Sequence, residues 1–103
     1  MKLKIQRLEW EIDFDDSGEL EACGETYYTD LKILIARTDN KSLLRSTIMH
    51  ELTHAVRWTY GHMNSVEVAG IPQEIVEEEI ANTVEAYCEE IIELTNKVMK
   101  GLK

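Results

Sequence analysis

Ser42-Leu43-Leu44-Arg45-Ser46-Thr47-Ile48-Met49-His50-Glu51-Leu52-Thr53-His54-Ala55-Val56-Arg57-Trp58-Thr59-Tyr60 divides this chain into two unlike halves. Its apolar residues Leu44, Ile48, Leu52, Ala55 and Val56 recur at the spacing that gathers side chains on one face of an α-helix. Asp39, Asn40 and Ser42 offer N-caps before it, and Gly61 suits the residue that ends it. The reading is a helix from about Ser42 to Tyr60.

Working outward toward the N-terminus, the period drops to two. Leu3 and Ile5 alternate with Lys2, Lys4 and Gln6; Leu8, Trp10, Ile12 and Phe14 alternate with Glu9, Glu11 and Asp13. The apolar parity switches between Ile5 and Leu8, which predicts a bulge or bend near Gln6-Arg7 within one long strand. Asp15-Asp16-Ser17-Gly18 is a turn signal. A short second strand is expected at about Glu19–Cys23, ended by Gly24, and a buried third strand at Leu31–Ile35.

Toward the C-terminus, Gly61–Ile71 reads as a loop. Pro72 suits the first turn of a second helix, which runs without a breaker to about Lys100 along the stripe Ile80, Val84, Tyr87, Ile91 and Val98. The expected order is β-β-β-α-α: one α+β domain over residues 1–103, with a three-stranded, mostly antiparallel sheet followed by two helices.

Composition narrows the partners. The chain has 20 acidic and 11 basic residues among its 103 and a formal charge of -9, which disfavours nucleic acid and anionic membrane surfaces. Arg37, Lys41 and Arg45 lie close in sequence and read as a solvated helix entrance. Cys23 and Cys88 form no CxxC pair and read as small buried hydrophobes in a reducing compartment, a bridge between them being the lesser reading. No signal peptide or bilayer-spanning apolar run is seen, so a cytoplasmic location is expected.

The chemistry concentrates at His50-Glu51-Leu52-Thr53-His54. Histidines four apart on a helix project from one face, suiting two nitrogens at about 2.0–2.1 Å from one tetrahedral zinc ion. Glu51 is rotated about 100° from His50, where its carboxylate reaches a water at the metal instead of the metal itself. An HExxH pattern arises by chance in about a few chains per thousand of this length, so two ordinary surface histidines are the weaker reading. A third ligand is required. Position 57 is arginine where HExxHxxGxxH has glycine, and His62 is out of step, so a glutamate of the next helix is expected. Amphipathicity favours Glu77. Glu78 stands four residues before Asn82, which could support a ligating histidine from the same face.

The run His50-Glu51-Leu52-Thr53-His54-Ala55-Val56 resembles the active-site helix of thermolysin-type gluzincins. Glu78-Glu79-Ile80-Ala81-Asn82 is similar to their downstream glutamate helix, with asparagine for aspartate. The small domain as a whole more closely resembles the ImmA/IrrE family and its phage and prophage relatives, the Cys23-Gly24-Glu25-Thr26 turn included. That resemblance implies a zincin-like fold with His50, His54 and Glu78 holding zinc, Glu51 as general base and Asn82 in support. It further implies an intracellular endopeptidase acting on a protein or peptide, in some members a repressor of a mobile element. The helix-turn-helix module that often accompanies such peptidases is absent from this sequence, as is the family's F-A-x-x-L-L-x-P continuation after Asn82.

The expected reaction is metal-assisted peptide hydrolysis. Tyr60, His62 and Tyr87 are candidate donors to the oxyanion, against packing or solvated roles for each. The edge of the Leu31–Ile35 strand or its neighbour is expected to receive an extended peptide. The alternative is a catalytically silent zinc-binding adaptor or inhibitor domain that keeps the metal for folding.

Overall fold

Alternating burial in the first strands explains the sheet. Leu3, Ile5, Trp10, Ile12, Ile33 and Ile35 are each at most 1% exposed, while Lys2, Lys4, Glu9 and Glu11 between them face water. The computed structural model describes residues 1–61 and 73–102, and over 73–81 and 83–85 the backbone alone. Its elements are β1 (Lys2–Ile5), β2 (Leu8–Asp15), β3 (Gly24–Tyr27), β4 (Lys32–Ala36), α1 (Lys41–Thr59) and α2 (Gln73–Gly101). The α+β class and the two helices agree with the sequence reading.

The described sheet has four strands rather than three, in the order β1-β2-β4-β3. β1 and β2 pair antiparallel with Ile5 opposite Leu8, so Gln6-Arg7 is a two-residue hairpin turn rather than a bulge. A two-residue turn puts the residues on either side of it on one face of the sheet, which produces the same parity switch as a bulge. Gln6 takes the left-handed position (φ 53°) without the glycine or asparagine that would have announced it.

The second correction concerns Glu19–Cys23, which forms no strand; β3 starts at Gly24 instead of ending there. Asp15 explains why. Its carboxylate accepts from the Ser17 backbone N–H, the Ser17 hydroxyl and the Leu20 N–H at 3.1, 2.6 and 3.0 Å, holding the chain in a turn. These bonds, the Ser17 hydroxyl foremost, hold the Asp15 carboxyl below its ordinary range. From there the chain passes the end of β4 and returns as an edge strand. β2 and β4 are consequently parallel, Ile12 beside Ile33, whereas β3 and β4 form an antiparallel hairpin, Thr26 beside Ile33. Leu31, expected as the first residue of the buried strand, is the left-handed turn residue before it (φ 51°).

Both helices share one core with the sheet. Ile48, Leu52, Ala55 and Val56 of α1 and Val98 of α2 are fully buried in one cluster with the inward residues of β1, β2 and β4, and Ile91 is nearly so. Asn40 caps α1 by accepting the Leu43 N–H at 3.1 Å. Gly61 closes it at φ 82°, donating its N–H to the Trp58 carbonyl at 3.0 Å. The end of α1 is fastened to the sheet by aromatic residues. The Trp10 indole donates to the Thr59 hydroxyl at 3.0 Å, and Trp58 meets Trp10 edge-on and stacks on Tyr28, both at 6.0 Å.

The thiols of Cys23 and Cys88 are free, and Cys23 is exposed instead of buried. Arg37 pairs with Asp16 at 2.6 Å and Arg45 donates to Asn96 at 2.7 Å, so the basic residues before and within α1 serve local contacts. Among the described residues no helix is long and apolar enough to cross a membrane.

Candidate metal centre

Residues of α1 alternate between folding and chemistry. Leu52 points into the core, while His50 and His54, one turn apart, stand on another face. Their Nε2 atoms approach to 3.1 Å, with ring planes at 81°. Two imidazole nitrogens on one tetrahedral zinc ion lie about 3.3 Å apart, so the pair has the separation and the donor chemistry that zinc asks for. His50 is open to solvent and leaves room for approach.

Glu51 lies beneath them and is only 6% exposed. One carboxylate oxygen, Oε1, accepts the Thr26 hydroxyl of β3 at 2.9 Å; the other, Oε2, is 4.0 Å from His50 Nε2. The carboxylate therefore has a fixed end and a working end. Gly24 permits this. A Cβ at position 24 would stand 2.9 Å from both Glu51 Cγ and Thr47 Cγ2, so only glycine lets the edge strand come this close to α1. A cleft of about 380 Å³ opens beside the pair, with Cys23, Gly24, Thr47, His50 and Glu51 in its walls.

Sequence reasoning missed Thr26 as the partner of Glu51. Its signal was weak, because a threonine in a short edge strand is ordinary and its partner lies 25 residues away. The edge expected to receive a peptide was that of Leu31–Ile35 or its neighbour. Leu31–Ile35 falls largely in β4, which is paired on both sides, and it is β3 that forms the sheet edge next to Glu51.

The third ligand falls on the part of α2 given as backbone. Glu77 and Glu78 ride α2, but their side chains lie outside the described residues, as does His62 altogether. Asn82 is one turn after Glu78 and exposed. Among the described residues no three metal-ligating side chains gather, so His50 and His54 are the donors seen together. Tyr60 is committed elsewhere: its hydroxyl donates to Glu90 at 2.9 Å and its ring stacks on Tyr87 with centroids 4.3 Å apart. Burial, then the Glu90 carboxylate, push the Tyr60 phenol above its ordinary value. Packing is what the structure shows for this pair of tyrosines.

The burial of Arg57 was not foreseen either. Only 9% exposed, it keeps Nε and Nη2 buried with no hydrogen-bond partner among the described residues. No protein-family model, curated protein or solved structure matches this chain.

Proposed function

We propose that this chain is a zinc-dependent endopeptidase. The observation that carries the reading is the buried Glu51 carboxylate, pinned by Thr26 on one oxygen and turned toward a histidine pair at metal-ligand spacing with the other. A silent zinc-binding adaptor has no use for such a carboxylate beside the histidines. His50 and His54 would hold the ion together with Glu78, and Asn82 would support a ligating histidine. Zinc, when bound, lowers the pKa of water toward neutrality and polarises a scissile carbonyl.

The proton work falls to Glu51. Because Thr26 occupies Oε1, Oε2 is the oxygen that accepts the proton of the attacking water and delivers it to the leaving amine. Burial keeps bulk water from competing for that oxygen. The exposed edge of β3 supplies backbone groups along which an extended peptide can lie beside the cleft. The substrate class is protein, in line with the family resemblance a regulatory protein of a mobile element.

The test is Glu51→Gln. It should retain one equivalent of zinc by atomic absorption and lose hydrolysis by about 10²–10⁴-fold. Cleavage at the wild-type rate would remove Glu51 from the reaction, and a protein that takes up no stoichiometric zinc would end the peptidase reading.

A further inference from the structure

Strand β3 has a different surface on each of its two faces. Gly24 and Thr26 meet α1 beside Glu51, whereas Glu25 and Tyr27 point to the opposite side of the sheet. There they line a second cleft, of about 620 Å³, walled on one side by the turn that Asp15 organises. Ala22 borders this cleft and the one beside His50 alike, so the edge of β3 runs between the two.

The second cleft suits a long cationic side chain. Leu20, Leu34 and the Tyr27 ring give it apolar surface, and Asp15, Glu19, Glu21 and Glu25 give it charge. No basic residue lines it; Lys32, opposite Tyr27, stays outside. Among the described residues no cation pairs with Glu19, Glu21 or Glu25, since the ion pairs lie at Asp13, Glu9, Asp16 and Glu51. The Tyr27 hydroxyl donates to one oxygen of Glu25 at 3.0 Å, which leaves the other.

Exposed carboxylates are ordinarily a solvated surface and nothing more. The backbone beside these supplies the independent reason to expect a ligand. The Cys23 carbonyl accepts the Ala36 N–H at 2.8 Å, which sets the alternation of the antiparallel β3–β4 ladder. Glu25 and Tyr27 therefore bond to β4, while Gly24 and Thr26 turn their N–H and C=O groups outward. Among the described residues no strand pairs with that edge. A peptide strand that satisfies Thr26 puts the residue opposite it on the α1 side, toward Glu51. The next residue on either hand then lies over the acidic cleft.

We infer that the edge of β3 docks an extended peptide bearing lysine or arginine, its cationic side chain in the acidic cleft and the adjacent residue facing Glu51. The apolar stem lies along Leu20, Leu34 and Tyr27 while the charged head meets the carboxylates. The inference rests on the peptidase reading only for its consequence, a preference for a basic residue next to the one that faces the histidines. A net charge of -9 would attract cations anywhere; the strand edge and the cleft assign them a place.

The first test needs neither zinc nor turnover. The metal-free full chain is titrated by NMR with a blocked five-residue peptide of alternating valine and threonine, its centre lysine, arginine or glutamine. The basic peptides should shift the Gly24 and Thr26 amides saturably and bind about 3–10-fold more tightly than the glutamine peptide at low ionic strength. Glu21→Gln combined with Glu25→Gln should bring that ratio to about one. Glu9→Gln combined with Glu11→Gln removes the same charge from β2 and should leave the ratio intact. Equal loss in both variants, or shifts that bypass Gly24 and Thr26, would overturn the proposal. In the second test the zinc-loaded chain cleaves peptides that differ by lysine against glutamine at each position in turn. One position should raise kcat/KM by a similar factor, mainly through KM, and the cleft variant should erase it. Cleavage with no such preference would overturn the docking and keep the peptidase; site-specific binding with no peptide cleaved would sustain the docking and reject the peptidase.

Discussion

The two faces of α1 obey opposite rules. Toward the sheet, Ile48, Leu52, Ala55 and Val56 are fully buried and apolar; away from it stand His50, His54 and Arg57. The first face follows from burial alone: apolar area leaves water, and the helix gains most of its stability from that packing. The second makes no such contribution, since it exposes one imidazole and buries a charge unpaired among the described residues. Glu51 lies at the border, where edge strand β3 meets the helix. The contrast teaches that the site is held by the core without being part of it. Stability and chemistry can therefore be perturbed separately.

The largest effect on stability should come from the packed face. Leu52→Ala should cost about 2–5 kcal/mol in urea unfolding, through lost burial and the cavity left behind. His50→Ala, by contrast, should change metal-free stability by less than about 0.5 kcal/mol while zinc uptake is lost. Comparable destabilisation by both would break the division between the faces. Next comes the border itself. Gly24→Ala should cost about 1–3 kcal/mol by forcing β3 from α1, and hydrolysis should fall with it as Glu51 is displaced. An alanine variant as stable and active as the parent would show that the close approach is unimportant.

Thr26→Val keeps the volume and removes the hydroxyl that holds Glu51. About 1 kcal/mol of stability should go, together with a drop in kcat that exceeds any change in KM. The smallest effect belongs to Tyr60, far from the border. Its phenol titrates above its ordinary value in the folded state, so its bond to Glu90 contributes fully below about pH 10. That contribution disappears as pH rises through the elevated folded value. Thermal unfolding between pH 9 and 11.5 should show the extra loss, and Tyr60→Phe should flatten it.

Legibility in the sequence followed the range of the interactions. α1 was readable because its period, its Asn40 cap and its Gly61 terminator act within a few residues. His50, Glu51 and His54 were readable as a set for the same reason: one helical turn brings them together wherever the helix goes. The hairpin at Gln6-Arg7 looked like a bulge because parity alone does not separate the two, and Gln6 carries no turn signature. Glu19–Cys23 looked like a strand until Asp15 bound three donors of the chain just beyond it.

By itself, then, the sequence determined a two-periodic half, a helical half and a histidine pair with its carboxylate, all consequences of backbone geometry over short distances. Tertiary structure alone decided that β3 crosses to the sheet edge beside Glu51, that Thr26 and Gly24 meet α1 there, and that Arg57 is shut away from water. Those facts depend on which segments pack together, and burial and close approach are properties of neighbours far apart in the chain.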